Sequence, residues 1–163
     1  MKGRRVVVTG MGMVSPLGHN VKDTWSALLE GKSGAAPIQT FATEAFSTAF
    51  SESVRGWNPD VFIAAKDARK MDVFVQYGMV AGIQAFEDSG LEITEKNAPR
   101  VGCAIGSGIG GIGEIEKNSL LVAERGPRRI SPFFVPGSII NMSSVNLSVK
   151  YNLQGPNIAI VTA

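Results

Sequence analysis

Short apolar runs alternate along the chain with longer segments in which apolar residues recur at helical spacing. Three apolar runs predict strands, a buried one at Arg4 to Thr9 and two more at Arg100 to Ile105 and Asn157 to Ala163. Four longer segments predict helices, at 21–30, 73–89, 112–124 and 138–151. A weaker strand pattern at 48–54 lies within the irregular stretch 32–58, and 131–137 is predicted to be a loop. Alternating strands and helices predict an α/β fold with a mostly parallel, helix-covered sheet.

The segment between Asp72 and Gly90 gives the strongest helix pattern in the chain. Asp72 is typical of an N-cap, and Gly90 is typical of the residue that follows a helix. Because the segment is apolar nearly all round, we expect it to be buried on most faces. Its small residues would let another backbone come close, and they are Gly78, Ala81, Gly82 and Ala85.

The glycine-rich segment 106–111 follows a predicted strand, precedes a predicted helix and matches the G-x-G-x-x-G pattern of dinucleotide-binding proteins. That pattern also needs an acidic residue at the end of the next strand, and Glu124 instead ends a helix. A tight turn that allows close approach is therefore favoured over a nucleotide site. The turn at 9–12 is also interpreted as structural, because Pro16 follows too soon for a helix to begin there.

Side chains suited to catalysis or metal binding are scarce. Cys103 lies in an apolar strand, where packing is favoured over reactivity, and His19 lies in a polar loop, where we interpret it as solvated. One cysteine and one histidine exclude an internal disulfide and a structural zinc site, and they favour a reducing, cytoplasmic location. No nucleophile–base pair is found. We therefore expect no catalytic residue, metal or cofactor site within this chain.

The composition and the hydropathy pattern of the chain argue against two classes of partner. A net charge of +2 and 7% aromatic residues do not suit a nucleic-acid-binding protein, which needs clustered positive charge. The longest apolar stretch, at 73–86, is too short to span a bilayer of about 30 Å. No signal peptide is predicted, because glycines interrupt the apolar run near the N-terminus. We expect neither a nucleic acid nor a membrane as partner.

Two basic clusters stand out in this nearly neutral chain. The first holds Lys66, Arg69 and Lys70, which helical spacing would place on one face. The second holds Arg125, Arg128 and Arg129. Each cluster alone is typical of solvated surface, but two together could dock an acidic partner.

The apolar run that begins at Asn157 has no helix after it within the chain. A strand of a parallel sheet needs a covering crossover helix, so we expect the chain to be the front part of a longer domain that stops in mid-strand. The alternative is a C-terminal edge strand, which so apolar a run makes less favoured.

Several motifs together resemble one family. The matching segments are VVVTGMGMVSPLG at 6–18, TWSALLEGKSG at 24–34, RKMDVFVQYGMVAGIQAFEDSGL at 69–91, VGCAIGSGIGG at 101–111, GPRRISPFFVPGSIINM at 126–142 and GPNIAIVTA at 155–163. They span nearly the whole chain, and the two longest are highly specific. The chain is similar to the bacterial β-ketoacyl-acyl carrier protein synthases, the elongating condensing enzymes of fatty acid synthesis. It resembles the type II branch more than type I, because of its SPFFVP loop.

This resemblance implies a fold and a reaction. The family has the thiolase fold, two similar α/β halves layered α-β-α-β-α, and residues 1–163 would form most of the N-terminal half. The last strand would lead into the nucleophilic cysteine directly after Ala163, and two histidines and a lysine would come from the second half. That cysteine would take an acyl chain from acyl carrier protein, malonyl-carrier protein would lose CO₂, and the resulting carbanion would attack the acyl thioester. The given chain alone should be inactive.

The resemblance also assigns roles to residues that are present. Ile109 would form the floor of the acyl pocket, and Phe134 would help to wall that pocket across the interface of a homodimer. The expected partner is acyl carrier protein with its acyl-phosphopantetheine arm. The residues implied to bind this acidic protein are Lys66, Arg69, Lys70, Arg128 and Arg129.

Two other functions stay open on the sequence alone. The chain could belong to a non-catalytic partner subunit, like the chain-length factors of polyketide systems, in which the active cysteine is replaced. Less favoured is a nucleotide-binding oxidoreductase domain, suggested by the two glycine turns.

Overall fold

A long central helix organises the fold of the computed structural model, which describes residues 3–161. The helices are α1 (Val21–Leu29), α2 (Ala65–Ala68), α3 (Val73–Ser89), α4 (Ile112–Arg125), α5 (Phe134–Ser138) and α6 (Met142–Tyr151). The strands are β1 (Ala36–Pro37), β2 (Phe50–Ser51), β3 (Cys103–Ala104) and β4 (Asn157–Ile158). Short 3-10 turns lie at Ala98–Arg100 and Pro127–Arg129. No helix among residues 3–161 is both long and apolar enough to cross a membrane.

Helix α3 confirms the strongest sequence prediction. The Asp72 carboxylate accepts a hydrogen bond from the Phe74 N–H at 3.1 Å, and Gly90 ends the helix at a φ of 63°. The core cluster includes Val75 and Ile83 of this helix, both essentially inaccessible to solvent. Helix α3 is thus the main support of the hydrophobic core.

The small residues of α3 allow close approach on two sides. The backbone at Gly10 and Gly12 lies against the α3 backbone at Ala85 and Ala81, where any β-carbon on either glycine would collide. On another side α3 packs against α6. The predicted close approach of another backbone is confirmed, and it needs glycine on the approaching segment as well as small residues on the helix.

The parallel sheet consists of β3 and β4, with Cys103 opposite Asn157 and Ala104 opposite Ile158. Its ladder continues past both strands, since the Ser107 N–H donates to the Ile160 carbonyl at 3.2 Å. Helix α6 leads into β4 and packs on this pair of strands. The predicted strands at 100–105 and 157–163 are confirmed in position, although Thr162 and Ala163 lie outside the described residues.

A second pair of strands is antiparallel, with Ala36 opposite Ser51 and Pro37 opposite Phe50. Strand β2 falls inside the weak strand pattern at 48–54, and its partner β1 falls in a stretch that was expected to be irregular. The sheet predicted as mostly parallel is therefore accompanied by a small antiparallel one.

The prediction of a buried strand at Arg4 to Thr9 is wrong for this structure. The segment is unpaired, and its side chains are exposed, Val6 by 93% and Val8 by 80%. A β-branched run forms a strand only when a neighbouring backbone completes its hydrogen bonds, and none of the residues 3–161 does so here. The chain is held only further on, where the Met11 N–H donates to the Asp88 carboxylate at 2.9 Å.

The segment 131–137 is not the loop that was predicted. Residues Phe134–Ser138 form α5, in which Pro136 stands in the first turn, where a helix tolerates proline. The Ser138 hydroxyl donates to the Phe134 carbonyl at 2.8 Å, and Ile139 is extended and ends the helix. Helix α6 therefore begins at Met142, four residues later than the predicted start.

Candidate acyl pocket and carrier-docking surface

The glycine-rich segment 106–111 is a tight turn packed against the end of α5. The Ser107 hydroxyl accepts from the Gly110 N–H at 3.0 Å, and the Gly111 N–H donates to the Ser138 carbonyl at 2.8 Å. Gly110 has a φ of 90°, and a β-carbon there would lie 2.8 Å from the Ser138 carbonyl oxygen. The glycines therefore serve a close backbone contact, as the favoured interpretation of this segment predicted.

The start of α4 is arranged differently from a dinucleotide site. In such a site the helix N-terminus faces a pyrophosphate. Here the Glu114 N–H, in the first turn of α4, donates to the carboxylate of Asp72 at 3.1 Å. A protein carboxylate already lies where the phosphate charge would be bound.

The two residues assigned to the acyl pocket lie in the glycine turn and in α5, against which the turn packs. Ile109 is in the glycine turn, with its side chain 62% exposed, and Phe134 is the half-buried first residue of α5. An open groove of about 370 Å³ runs beside the turn, and its walls include Ser107, Ile158 and Ile160 but neither Ile109 nor Phe134. The structure thus brings the glycine turn, α5 and the end of the parallel sheet into one region.

The first basic cluster is exposed on and after α2. Lys66 is in α2, and Arg69 and Lys70 follow directly. The Lys70 ammonium lies 2.8 Å from the Asp67 carboxylate, and this hydrogen bond lowers the pKa of Asp67. The Lys70 ammonium also lies 5.3 Å from the centre of the Phe133 ring. The cluster therefore touches the segment that leads into α5.

The second basic cluster lies at the C-terminal end of α4. Arg125 is the last residue of this helix, and Arg128 and Arg129 are in the 3-10 turn that follows it, all three exposed to solvent. Among residues 3–161 no ion pair engages Arg128 or Arg129. Both guanidinium groups are thus available to an acidic partner.

A cavity of about 420 Å³ opens beside Lys70, and its lining includes Phe133, Pro136, Met79 and Met142. It is lined mainly by apolar side chains, with lysines among its lining residues. An apolar opening beside exposed positive charge suits a partner surface that is both acidic and apolar.

Cys103 is buried, with 8% of its surface exposed, and packs in the core cluster as predicted. Burial raises the pKa of its thiol, and a hydrogen bond with Ser148 partly opposes that shift. The thiol is thus kept in its neutral form, which is the opposite of what a nucleophile needs.

His19 is a partly exposed loop residue, in line with its interpretation as solvated, but it also has two partners that the sequence did not indicate. Its Nε2 lies 3.0 Å from the Arg55 carbonyl oxygen, and its ring packs edge-on against Trp57 at 5.4 Å between ring centres. His19 joins the α1 region to the segment before α2. No cluster of three or more metal-ligating side chains is found in the described part of the chain.

Sequence reasoning missed an amide clamp behind β4. The Asn157 side chain donates to the Ser148 hydroxyl at 2.7 Å and to the Ser144 carbonyl at 3.0 Å, and it accepts from the Ser144 hydroxyl at 2.8 Å. This clamp fixes β4 to α6. No pattern in the sequence marks it, because these serines look like ordinary helix residues.

Sequence reasoning also missed the second contact of Asp72. The residue was predicted as the N-cap of α3, but its other oxygen binds α4, and its N–H donates to the Gly137 carbonyl in α5 at 3.0 Å. The side chain is 9% exposed. One buried residue therefore joins three elements around the candidate site, through its carboxylate to α3 and α4 and through its backbone N–H to α5.

Strands β3 and β4 with their packed helices, the glycine turn and the α5 segment define the thiolase-like α/β fold of the ketosynthases. The ishigamide ketosynthase/chain length factor superposes with a TM-score of 0.76 at 27% identity, over 98% of this chain and 40% of that chain. A type II PKS acyl-carrier protein in complex with its ketosynthase superposes with a TM-score of 0.72 at 23% identity, over 91% of this chain and 39% of that chain, which shows the fold alone.

The chain belongs to the β-ketoacyl synthase family, whose N-terminal domain matches residues 3–163. It is 57% identical over 163 residues to a 3-oxoacyl-[acyl-carrier-protein] synthase 2 of Vibrio cholerae serotype O1, covering all of this chain and 39% of that relative. The resemblance inferred from the motifs is confirmed, and so is the fold class. The chain spans about two fifths of the length of the curated relatives it matches.

Proposed function

We propose that this chain forms most of the N-terminal half of a condensing enzyme of fatty acid elongation. The enzyme would join an acyl chain to the two-carbon unit of malonyl-acyl carrier protein by a decarboxylative Claisen condensation. The observation that carries the proposal is the 57% identity, over the whole chain, to a 3-oxoacyl-[acyl-carrier-protein] synthase 2. The setting would be the cytoplasm, in agreement with the single buried thiol.

The chemistry would run in two stages on a cysteine that follows Ala163. The thiolate attacks the acyl thioester, and the carrier's thiol leaves, so that the chain is held on the enzyme. Malonyl-carrier protein then loses CO₂, its carbanion attacks the enzyme thioester, and the thiolate is released. Backbone N–H groups would stabilise the oxyanion of each tetrahedral intermediate. The described residues would contribute the pocket and the docking surface, and none of them a catalytic group.

The acyl pocket would be shaped by Ile109 and Phe134. The Gly111–Ser138 hydrogen bond holds the glycine turn against α5, which supports a joint role for the two residues. Ile109 projects from the turn with most of its surface exposed, as a side chain that meets a ligand must. Phe134 would wall the pocket across a homodimer interface.

The carrier protein would dock on the two basic clusters. Their exposed cations, the apolar cavity beside Lys70 and the cation–π contact with Phe133 support this role. The name of the 57% identical relative, a 3-oxoacyl-[acyl-carrier-protein] synthase 2, supports the same class of partner. The proposed contacts are Lys66, Arg69, Lys70, Arg128 and Arg129.

The first test is a condensation assay on the complete protein, with acyl- and malonyl-carrier protein as substrates and mass spectrometry of the product. We expect β-ketoacyl-carrier protein to form, and replacing the cysteine after Ala163 with Ala should abolish it. A complete protein that lacks this cysteine and forms no product would contradict the proposal.

The docking surface has its own test. Arg69→Glu and Arg128→Glu in the complete enzyme should each raise the Kd for carrier protein, and added salt should weaken wild-type binding, because exposed charges are screened. Arg100→Glu is the matched control, since Arg100 is also exposed but lies in the 3-10 turn before β3. Equal Kd values for wild type and the two cluster variants would refute this surface.

A second candidate is a non-catalytic chain-length-factor-like subunit. The likeness to the ishigamide ketosynthase/chain length factor, at a TM-score of 0.76, favours it over other binding proteins. Such a subunit would carry another residue, such as Gln, after Ala163, and it would form no acyl-enzyme. Mass spectrometry of the complete protein after incubation with acyl-carrier protein separates the two functions.

A further inference from the structure

Asp72 lies between the two parts of the proposed site. It follows Lys70 of the first basic cluster by two residues and begins helix α3. Its side chain is 9% exposed, and no cation among the described residues pairs with it. Both carboxylate oxygens are instead used to accept backbone N–H groups.

The two oxygens bind two different helices. One accepts from the Phe74 N–H at 3.1 Å and caps α3, whereas the other accepts from the Glu114 N–H at 3.1 Å and caps α4. A carboxylate at a helix N-terminus is favoured by the helix dipole, and here one negative charge serves two helices. Helix α4 begins directly after the glycine turn that carries Ile109.

The backbone around Asp72 is tied to the third element. Its N–H donates to the Gly137 carbonyl at 3.0 Å, within α5. Gly137 also packs so closely on the preceding segment that a β-carbon would lie 2.7 Å from the Lys70 carbonyl oxygen. The position of α5, and so of Phe134, is therefore fixed relative to the basic cluster.

We propose that Asp72 is a positioning residue that holds the acyl-pocket elements in register with the carrier-docking segment. This inference rests on the proposed function. A docked carrier delivers its acyl chain from the basic clusters toward Ile109 and Phe134, so the distance between them must be fixed if the chain is to reach the pocket aligned for reaction. A displacement of about 1 Å can lower a rate by about 100-fold.

The variant that isolates this role is Asp72→Ser in the complete enzyme. Serine is as good an N-cap as aspartate, so α3 keeps its cap, but its single, shorter oxygen leaves the Glu114 N–H without its acceptor. Asp72→Asn is the second variant, because it keeps the size of the side chain and places an amide N–H₂ against one of the two donors. Asp88→Asn is the matched control, since Asp88 also accepts one backbone N–H but lies near the other end of α3.

The readouts are steady-state kinetics with a short and a long acyl-carrier substrate, and hydrogen exchange followed by mass spectrometry. For Asp72→Ser we expect kcat to fall by up to about 100-fold, more for the long chain that reaches Ile109, with KM for the carrier unchanged. Exchange should quicken in peptides that cover 109–118 and stay unchanged in those that cover 76–89. Asp72→Asn should change in the same direction, and Asp88→Asn should match wild type.

An unchanged rate of hydrogen exchange over 109–118 would overturn the inference. An equal loss of kcat with the short and the long acyl chain, together with a lower Tm, would also overturn it, because that result indicates a merely structural role. The exchange arm needs no substrate. If wild type makes no product while exchange quickens in Asp72→Ser, the proposed function fails and the Asp72 link stands.

Discussion

Gly78 gives a sharp test of how α3 packs on α6. A β-carbon at this position would lie 2.8 Å from the Ser143 hydroxyl oxygen and 2.9 Å from the Ser143 β-carbon. Ser143 is 2% exposed, and its β-carbon is fixed to the α6 backbone. No rotamer change can therefore relieve the collision, and Gly78→Ala must push the two helices apart.

Two opposing terms set the change in free energy of unfolding that Gly78→Ala should cause. Alanine is favoured over glycine in a helix interior by about 1 kcal/mol. Overpacking a well-packed core costs about 1–3 kcal/mol, so the net loss in free energy of unfolding should be about 0–2 kcal/mol. Gly82→Ala is the matched control, because its nearest neighbour is a terminal methyl of Leu147 at 2.7 Å, which a side-chain rotation can move. Gly78→Ala should therefore be the less stable variant.

The assay is urea unfolding of the complete protein at one fixed concentration, in the wild-type and Ser143→Gly backgrounds. Removing the Ser143 side chain removes the collision, so Gly78→Ala should become stabilising there by about 1 kcal/mol. The coupling free energy between the two sites should be about 1–3 kcal/mol. If Gly78→Ala has the same effect in both backgrounds, the proposed collision does not exist.

Three further predictions follow from burial and hydrogen bonding. Burial raises the pKa of the Cys103 thiol above the ordinary value of 9.0 that applies in the unfolded chain. The stabilisation by the neutral thiol is therefore complete at neutral pH. In urea unfolding, the free energy of unfolding should fall as pH rises from 9.0 through the raised pKa of the folded protein. Asn157→Leu removes the three hydrogen bonds that tie β4 to Ser144 and Ser148 of α6, and it should lower the free energy of unfolding by about 1–3 kcal/mol. Residues 1–163 expressed alone should bind a hydrophobic dye and associate, measured by light scattering, because side chains such as Val6 are exposed.

Each of these predictions has a comparison that can contradict it. Cys103→Ala lacks the titrating group, so equal pH dependence of its stability and that of wild type would refute the role of the thiol. Asn146→Leu is the control for Asn157, because Asn146 donates only within α6, and an equal loss in both would exclude a special clamp. A monomeric 1–163 chain that unfolds cooperatively and binds no dye would show that its apolar surface is tolerated.

The parts of the fold that the sequence predicts are those specified by neighbours along the chain. Helix α3 has its predicted bounds because an Asx cap and a left-handed glycine are local signals. Helix α5 was missed because the local signals there, two prolines and a Phe pair, are typical of a loop. A helix is nevertheless possible, because Pro136 lies in its first turn, where proline is tolerated. The run Arg4 to Thr9 was misjudged because a strand depends on a partner that local pattern does not show.

Asp72 shows where sequence reasoning about the site ends. Its bond to Phe74 spans two residues and could be predicted, whereas its bond to Glu114 spans 42 residues and depends on the fold that brings α4 beside α3. A cap motif implies one accepting oxygen and leaves the other free. When such a carboxylate is buried, its free oxygen must find a donor, because an unpaired buried charge is strongly unfavourable. A predicted Asp cap in front of an apolar helix is therefore evidence for a second, distant contact, and here that contact reaches the first turn of α4, directly after the glycine turn of the proposed acyl pocket.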